Sequence, residues 1–202
     1  MIARAQNQVK DIIVVGVGGQ GILLATDVIA NAFMKNDYDV KKSEVHGMAQ
    51  RGGSVQSHVR CDLQQVNSPL IPHRKADALL AFEKMEALRY APAVKPDGYI
   101  LYNTQQIPTV PMSTGQQEYP SDIDGNLANY SENTLPVDAM EEAKRLKNVR
   151  VVNTILIGAL SRLTDVPQQS WKEAVLDRVP AGAQEVNEKA FTVGREVSEN
   201  FN

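Results

Sequence analysis

The sequence predicts an α/β fold, Rossmann-like, with a mainly parallel sheet flanked by helices and a helical C-terminal portion. Three observations predict it. Asp11 to Ala30, DIIVVGVGGQGILLATDVIA, passes from an apolar β-branched run through a glycine-dense turn into a helical pattern without a spacer. Within that run Ile12–Val15 are apolar on successive residues rather than alternate ones, as in a strand covered on both faces. Short strand-like runs then alternate with helical patterns until about residue 152, and only helical patterns follow. At 202 residues the chain suits one domain, with an α/β core over about 10–165 and C-terminal helices over about 166–202.

Each element has its own signal. The first strand is Ile12–Val15, and its helix runs from about Gly21 to Met34, closed by Asn36-Asp37. Tyr38–Val45 is a second strand, parallel to the first and reached by a right-handed crossover. His46–Gly53, HGMAQRGG, fits neither period and is a loop at the C-terminal end of a strand, where parallel sheets build their crevices. Ser54–Cys61 alternates, with Val55, Ser57, Val59 and Cys61 on one face and Gln56, His58 and Arg60 on the other. That is a half-exposed strand, antiparallel or near an edge. Asn67–Pro72 is a loop, Ala76–Glu83 a buried strand and Lys84–Tyr90 a short helix. Lys95-Pro96-Asp97-Gly98 is a turn signal, and Tyr99–Asn103 is the next strand. Thr104–Glu118 has no clear period and leaves room for a short extended segment. Leu135-Pro136-Val137-Asp138 opens a helix to about Lys147, and Val149–Val152 is a last short strand. Asn153 caps a helix over Thr154–Leu163 that is apolar around most of its axis and therefore buried. Two amphipathic helices, about Gln168–Arg178 and Ala183–Asn200, flank Pro180-Ala181-Gly182.

Composition narrows the function. A hydrophobic share of 43%, a charged share of 22% and a net charge of −3 are ordinary for a soluble globular protein and give no general pull toward nucleic acid. The basic clusters at Lys41–Lys42, at His73–Arg74–Lys75, and at Lys144, Arg145, Lys147 and Arg150 have no interleaved aromatic residues and read as solvated faces. A single cysteine, Cys61, rules out an internal disulfide and an iron–sulfur cluster held by this chain alone. The polar start MIARAQNQVK and the absence of any run near the ~20 apolar residues of a membrane span lead to the expectation of a cytoplasmic protein without membrane contact.

The glycine turn is the first candidate site. Gly16, Gly18 and Gly21 have the Gly-x-Gly-x-x-Gly spacing of a dinucleotide fingerprint, with Gly19 and Gln20 between them, and the free N–H groups of the following helix favour an anion. In a dinucleotide site an acidic residue would lie about 20 residues on, at the end of the second strand. Glu44 is close to that place, but Lys41 and Lys42 precede it and a large polar loop follows. That loop is the second candidate site. Arg51 beside Gly52 and Gly53 offers a guanidinium next to exposed backbone amides, suited to phosphate or carboxylate, and His46, Gly47 and Gln50 add to it. The competing reading is a glycine-rich connection whose Arg51 caps a neighbour. His46, His58 and His73 share no ligand spacing and make no metal site. Cys61 reads as a buried small hydrophobe. Gly-x-Ser-x-Gly, Walker and His-Glu-x-x-His patterns are absent, so no catalytic residue is assigned to this chain by itself.

Gly16-Val-Gly-Gly-Gln-Gly21, Ser43-Glu-Val-His-Gly-Met-Ala-Gln-Arg-Gly-Gly53, a strand ending in Val59-Arg60, Asn153-Thr-Ile-Leu-Ile-Gly-Ala159 and Asn187-Glu-Lys-Ala-Phe191 with Gly194 together resemble the gamma domain of the 2-oxoacid:ferredoxin oxidoreductases. Within that family the indolepyruvate type is most similar, and Glu44–Gly53 is the specific part. The resemblance implies the subunit of a complex that decarboxylates aryl-pyruvates oxidatively, forms acyl-coenzyme A and reduces ferredoxin. It implies thiamine diphosphate, magnesium and 4Fe-4S clusters on a large subunit, with coenzyme A as co-substrate. No Gly-Asp-Gly motif is present here, since Asp97-Gly98 and Asp124-Gly125 lack its first glycine. The glycine turn and Glu44–Gly53 would then face a shared site, with Arg51 on the coenzyme A diphosphate or the 2-oxoacid carboxylate and Met48 in the aryl pocket. A homodimer of the isolated chain is a secondary expectation. A self-sufficient NAD- or FAD-binding oxidoreductase with Glu44 on a ribose, and a nucleotide-binding module without catalysis, are the alternatives.

Overall fold

The computed structural model describes residues 9–46 and 53–199, with His46 given by its backbone alone. Gly47, Met48, Gln50, Arg51 and Gly52 lie outside the described residues. Six strands form one sheet in the order β2-β3-β1-β4-β5-β6. They are β1 (Asp11–Val17), β2 (Asp39–His46), β3 (Ser54–Asp62), β4 (Ala76–Ala81), β5 (Val94–Asn103) and β6 (Asn133–Val137). β1, β4, β5 and β6 are neighbours in parallel, whereas β3 runs antiparallel between β1 and β2. Five strands therefore share one direction, as expected of a mainly parallel sheet. β1 and β2 belong to that set but do not touch, because β3 occupies the place between them.

The successive apolar residues of β1 divide between two cores. Ile12 and Val14 join the cluster packed by α1 (Ile22–Met34), α5 (Ala139–Arg145), α6 (Val152–Ser161), α7 (Gln168–Leu176) and α8 (Gln184–Val197). Ile13 and Val15 join the opposite one, under α2 (Lys84–Tyr90) and α4 (Ile123–Ala128), with Met112 of α3 (Val110–Ser113) at its margin. All four β1 residues are at most 1% exposed, the condition under which alternation disappears from a strand. Phe33 of α1 stands edge-on to Tyr38 and Trp171, at centroid distances of 5.1 and 6.0 Å. Trp171 thereby fixes α7 on α1 and satisfies its indole N–H on Thr164 Oγ1 at 3.1 Å.

α1, α2, α7 and α8 match their expected positions to within a few residues, and Asp37, with φ of 63°, ends the first helical segment. Other segments depart from expectation. Leu135-Pro136-Val137 is not the start of a helix but part of β6, an edge strand on which a proline is tolerated. The following helix begins at Ala139, capped by Asp138, whose side chain accepts from Glu141 N at 3.1 Å. Lys95-Pro96-Asp97-Gly98 is absorbed into β5: Ala76 pairs with Val94 but Ala78 with Tyr99, so the turn signal becomes a bulge. Thr104–Glu118 holds the short helix α3 in place of an extended segment, and α4 lies in a stretch without an assigned element. Val149–Val151 is a 3₁₀ turn rather than a strand, and α6 starts directly from it at Val152.

Candidate functional site

The glycine turn sits at the C-terminal end of β1, beside the end of β4. Gly16 is closely approached: a Cβ there would lie 2.7 Å from Ile22 Cδ1, 2.8 Å from Gln20 Oε1 and 3.0 Å from Phe82 Cβ, so these side chains would have to shift. Gly19 and Gly21 have φ of +102° and +77°, the left-handed region that glycine enters without strain. Gln20 folds back into the turn, its Oε1 accepting from Val17 N at 2.7 Å and its Nε2 donating to Phe82 O at 2.9 Å. Gly18 N donates to Gly53 O at 2.9 Å. The turn and the C-terminal end of the Glu44–Gly53 segment are therefore hydrogen-bonded to each other. The amides of Gly19, Gly21, Ile22, Leu23 and Leu24 make no hydrogen bond to a described residue. That run opens α1, so partial positive charge concentrates there, the electrostatics of an anion site.

Asn153, expected as a helix cap, has another task. Its Nδ2 donates to Gln20 O at 2.8 Å, tying the turn to α6. A Cβ on Gly21 would come within 2.6 Å of that nitrogen, so the glycine and the asparagine are matched. Asn148, not Asn153, caps the 3₁₀ turn, accepting from Arg150 N at 3.0 Å. Sequence reasoning missed this contact because it links residues 133 positions apart.

Two buried carboxylates at the end of β4 were not anticipated either. Glu83 accepts from Glu86 N, from Ile107 N at 3.0 Å and from Tyr119 OH at 2.6 Å. Burial and that carboxylate push the Tyr119 hydroxyl far above its ordinary pKa, so it remains a donor. Glu86 accepts from Ser54 Oγ and pairs with Arg89 Nε at 3.0 Å, while Ser54 Oγ lies 3.0 Å from Tyr90 OH. Ser54 is the first residue of β3, so this network holds the strand that leaves the Glu44–Gly53 segment. The available signal is the Glu83-Lys84 pair directly after a buried strand.

Glu44 lies apart from the turn. It pairs with Ser57, which pairs with Val14, and its side chain is exposed on the edge strand. Two strand spacings, about 10 Å, separate it from β1, so it is not beside the turn as the ribose-binding acid of a dinucleotide fold must be. His58 also departs from expectation. It is 6% exposed, because the segment after β3 folds back and Ile71 N donates to its Nδ1 at 3.1 Å. Burial lowers the imidazole pKa, against a smaller opposing pull from Asp11. Cys61 is buried on β3, and burial raises its thiol far above the ordinary range, leaving it a small apolar side chain.

Comparison with known proteins places these features. Residues 11–197 match the family described as pyruvate ferredoxin/flavodoxin oxidoreductase. Indolepyruvate oxidoreductase subunit IorB of Pyrococcus horikoshii is 40% identical over 189 residues, covering 91% of this chain and 93% of the relative. The subunit of the same name from Archaeoglobus fulgidus is 37% identical over 188 residues, covering 91% and 92%. Among solved structures, the gamma subunit of a keto/oxoacid ferredoxin oxidoreductase from Geobacter sulfurreducens is 26% identical with a TM-score of 0.70, over 94% of this chain and 98% of that one. A 2-oxoglutarate:ferredoxin oxidoreductase from Magnetococcus marinus shares the fold at 23% identity, with a TM-score of 0.75 over 96% of this chain and 32% of that one.

Proposed function

Because the chain belongs to the pyruvate ferredoxin/flavodoxin oxidoreductase family, we propose that it is the small subunit of an indolepyruvate-type 2-oxoacid:ferredoxin oxidoreductase. With a large subunit it converts an aryl-pyruvate and coenzyme A into acyl-coenzyme A and carbon dioxide, and the electrons pass to ferredoxin. The observation that carries this reading is 40% identity to an IorB subunit over nearly the whole length of both chains.

The chain's own residues do not suit the redox groups. One cysteine, buried in β3, cannot ligate a cluster. Both Asp-Gly pairs have structural places: Asp97-Gly98 lies in the β5 bulge, and Asp124 in α4 accepts from Tyr102 OH at 2.6 Å and from Lys84 Nζ at 2.9 Å. Thiamine diphosphate, magnesium and the 4Fe-4S clusters are therefore assigned to the large subunit. This chain's part is to bind and orient. The amides of Gly19, Gly21, Ile22, Leu23 and Leu24, without a partner among the described residues, suit the coenzyme A diphosphate or the 2-oxoacid carboxylate, and Gly53 is hydrogen-bonded to Gly18 beside them. Leu23 and Leu24, 43% and 45% exposed on the first turn of α1, give the partner an apolar contact beside the turn.

Co-expression with a large subunit, followed by oxoacid-dependent dye reduction, tests the reading. Activity should need both chains. In that complex Arg51→Ala should raise the KM for coenzyme A or for the 2-oxoacid, and unchanged kinetics for both would remove Arg51 from the site. Tight NAD or FAD binding by the isolated chain would overturn the assignment in favour of a self-sufficient oxidoreductase.

A further inference from the structure

β3 presents Ser54, Gln56 and His58 on the same sheet face as Val17, Val15 and Ile13, the face that α2 covers. A cavity of about 330 Å³ opens there, bounded by β3, by the end of α2 with the Ala91–Ala93 turn, and by the segment that closes on His58 through Ile71. Its volume falls at the lower end of small-molecule sites. Ile13, Ile71 and Pro92 supply apolar wall, and Gln56, His58, His73, Arg89 and Tyr90 supply polar groups.

Gln56 and Arg89 leave unused donors on this lining. His58 Nδ1 is already the acceptor of a backbone amide, so the neutral ring carries its proton on Nε2. That nitrogen lies 2.9 Å from the Gln56 carboxamide. With the carboxamide turned so that its oxygen accepts from Nε2–H, the Gln56 NH₂ is left as a donor. Arg89 uses Nε on Glu86, and its two amino groups have no partner among the described residues. Among the described residues no carboxylate lines the cavity. Arg89 is the one guanidinium on the lining and already pairs with Glu86, so its remaining N–H donors can meet at most a monoanion, not a dianion.

We propose that this cavity is a binding site for a small monocarboxylate with an apolar body, its carboxylate on Arg89 and Gln56 and its body on Ile13, Ile71 and Pro92. The proposal does not rest on the subunit reading, because every group belongs to this chain.

The test is an NMR titration of the full isolated chain with phenylacetate, phenylacetamide and inorganic phosphate as probes. Phenylacetate should shift the His58 ring and the Ile71 amide saturably, phenylacetamide should bind at least about tenfold more weakly, and phosphate should not compete. Arg89→Gln should weaken phenylacetate by about tenfold or more. Gln56→Leu, which leaves the Arg89–Glu86 pair intact, should also weaken it and stands in if the first variant does not fold. Equal affinity for the acid and its amide, competition by phosphate, or no saturable shift at His58 and Ile71 would overturn the proposal.

Discussion

Gln20 does with its own carboxamide part of what a bound anion does in a dinucleotide turn: it satisfies a backbone amide of the glycine loop. It also reaches across to the Phe82 carbonyl on β4. Gln20→Ala should leave Val17 N without its acceptor and cost about 1–3 kcal/mol, read from urea unfolding. His58 supplies a pH dependence. Burial keeps the native ring neutral and lowers its pKa, whereas an unfolded histidine titrates near about 6.5. Between the native value and about 6.5 the unfolded chain binds more protons, so stability rises with pH through that window and is lost as pH falls through it. His58→Gln, which retains an acceptor for Ile71 N, should flatten the slope of the urea midpoint between about pH 5 and about pH 7.5; an unchanged slope would exclude His58 as its source. At this scale the glycines were legible in the sequence, because positive φ and close approach leave glycine as the residue of choice. Asn153, Ser54 and Glu86 were not, because their partners become neighbours only once the sheet is ordered.

The tightest contact between elements is the crossing of α6 and α8. A Cβ on Gly194 would lie 2.0 Å from Ile155 O, and one on Gly158 would lie 2.3 Å from Phe191 O. Backbone meets backbone there, and neither helix has a flexible side-chain end that could yield. Gly194→Ala should force the helices apart and cost about 1–3 kcal/mol, seen by calorimetry as a lowered Tm. Gly182→Ala, whose Cβ meets nothing within 4 Å, serves as the control and should stay within about 0.5 kcal/mol. Strongly periodic helices and the continuous apolar strands β1 and β4 were readable from the sequence. β6 was not, since Pro136 and the polar Asn133-Thr134 give no strand pattern, and its extended form is set by pairing with Tyr99–Asn103 on β5. The 3₁₀ turn at Val149–Val151 misled for the opposite reason: its valines favour a strand, but the start of α6 follows without room for one.

For the molecule as a whole, the fold class followed from the strand–turn–helix opening, but the strand order did not. Nothing in the local sequence says that β3 enters between β1 and β2, and that entry is what moves Glu44 away from the turn. The subunit reading gives a prediction at this scale. Leu24→Asp, at a half-exposed position on the first turn of α1, should leave the Tm of the isolated chain nearly unchanged yet reduce co-purification with the large subunit. Retention of the full complex would place the docking surface elsewhere. The ladder of β3 has one more consequence. Val17 pairs with Ser54 on one side of it and His46 with Val55 on the other, so both ends of the Glu44–Gly53 segment are clamped in register by strands that do not depend on what lies between. The strand register can thus hold whatever sequence joins its ends: chimeras that swap residues 47–52 for a relative's sequence of equal length should keep the scaffold's stability, read from the urea midpoint.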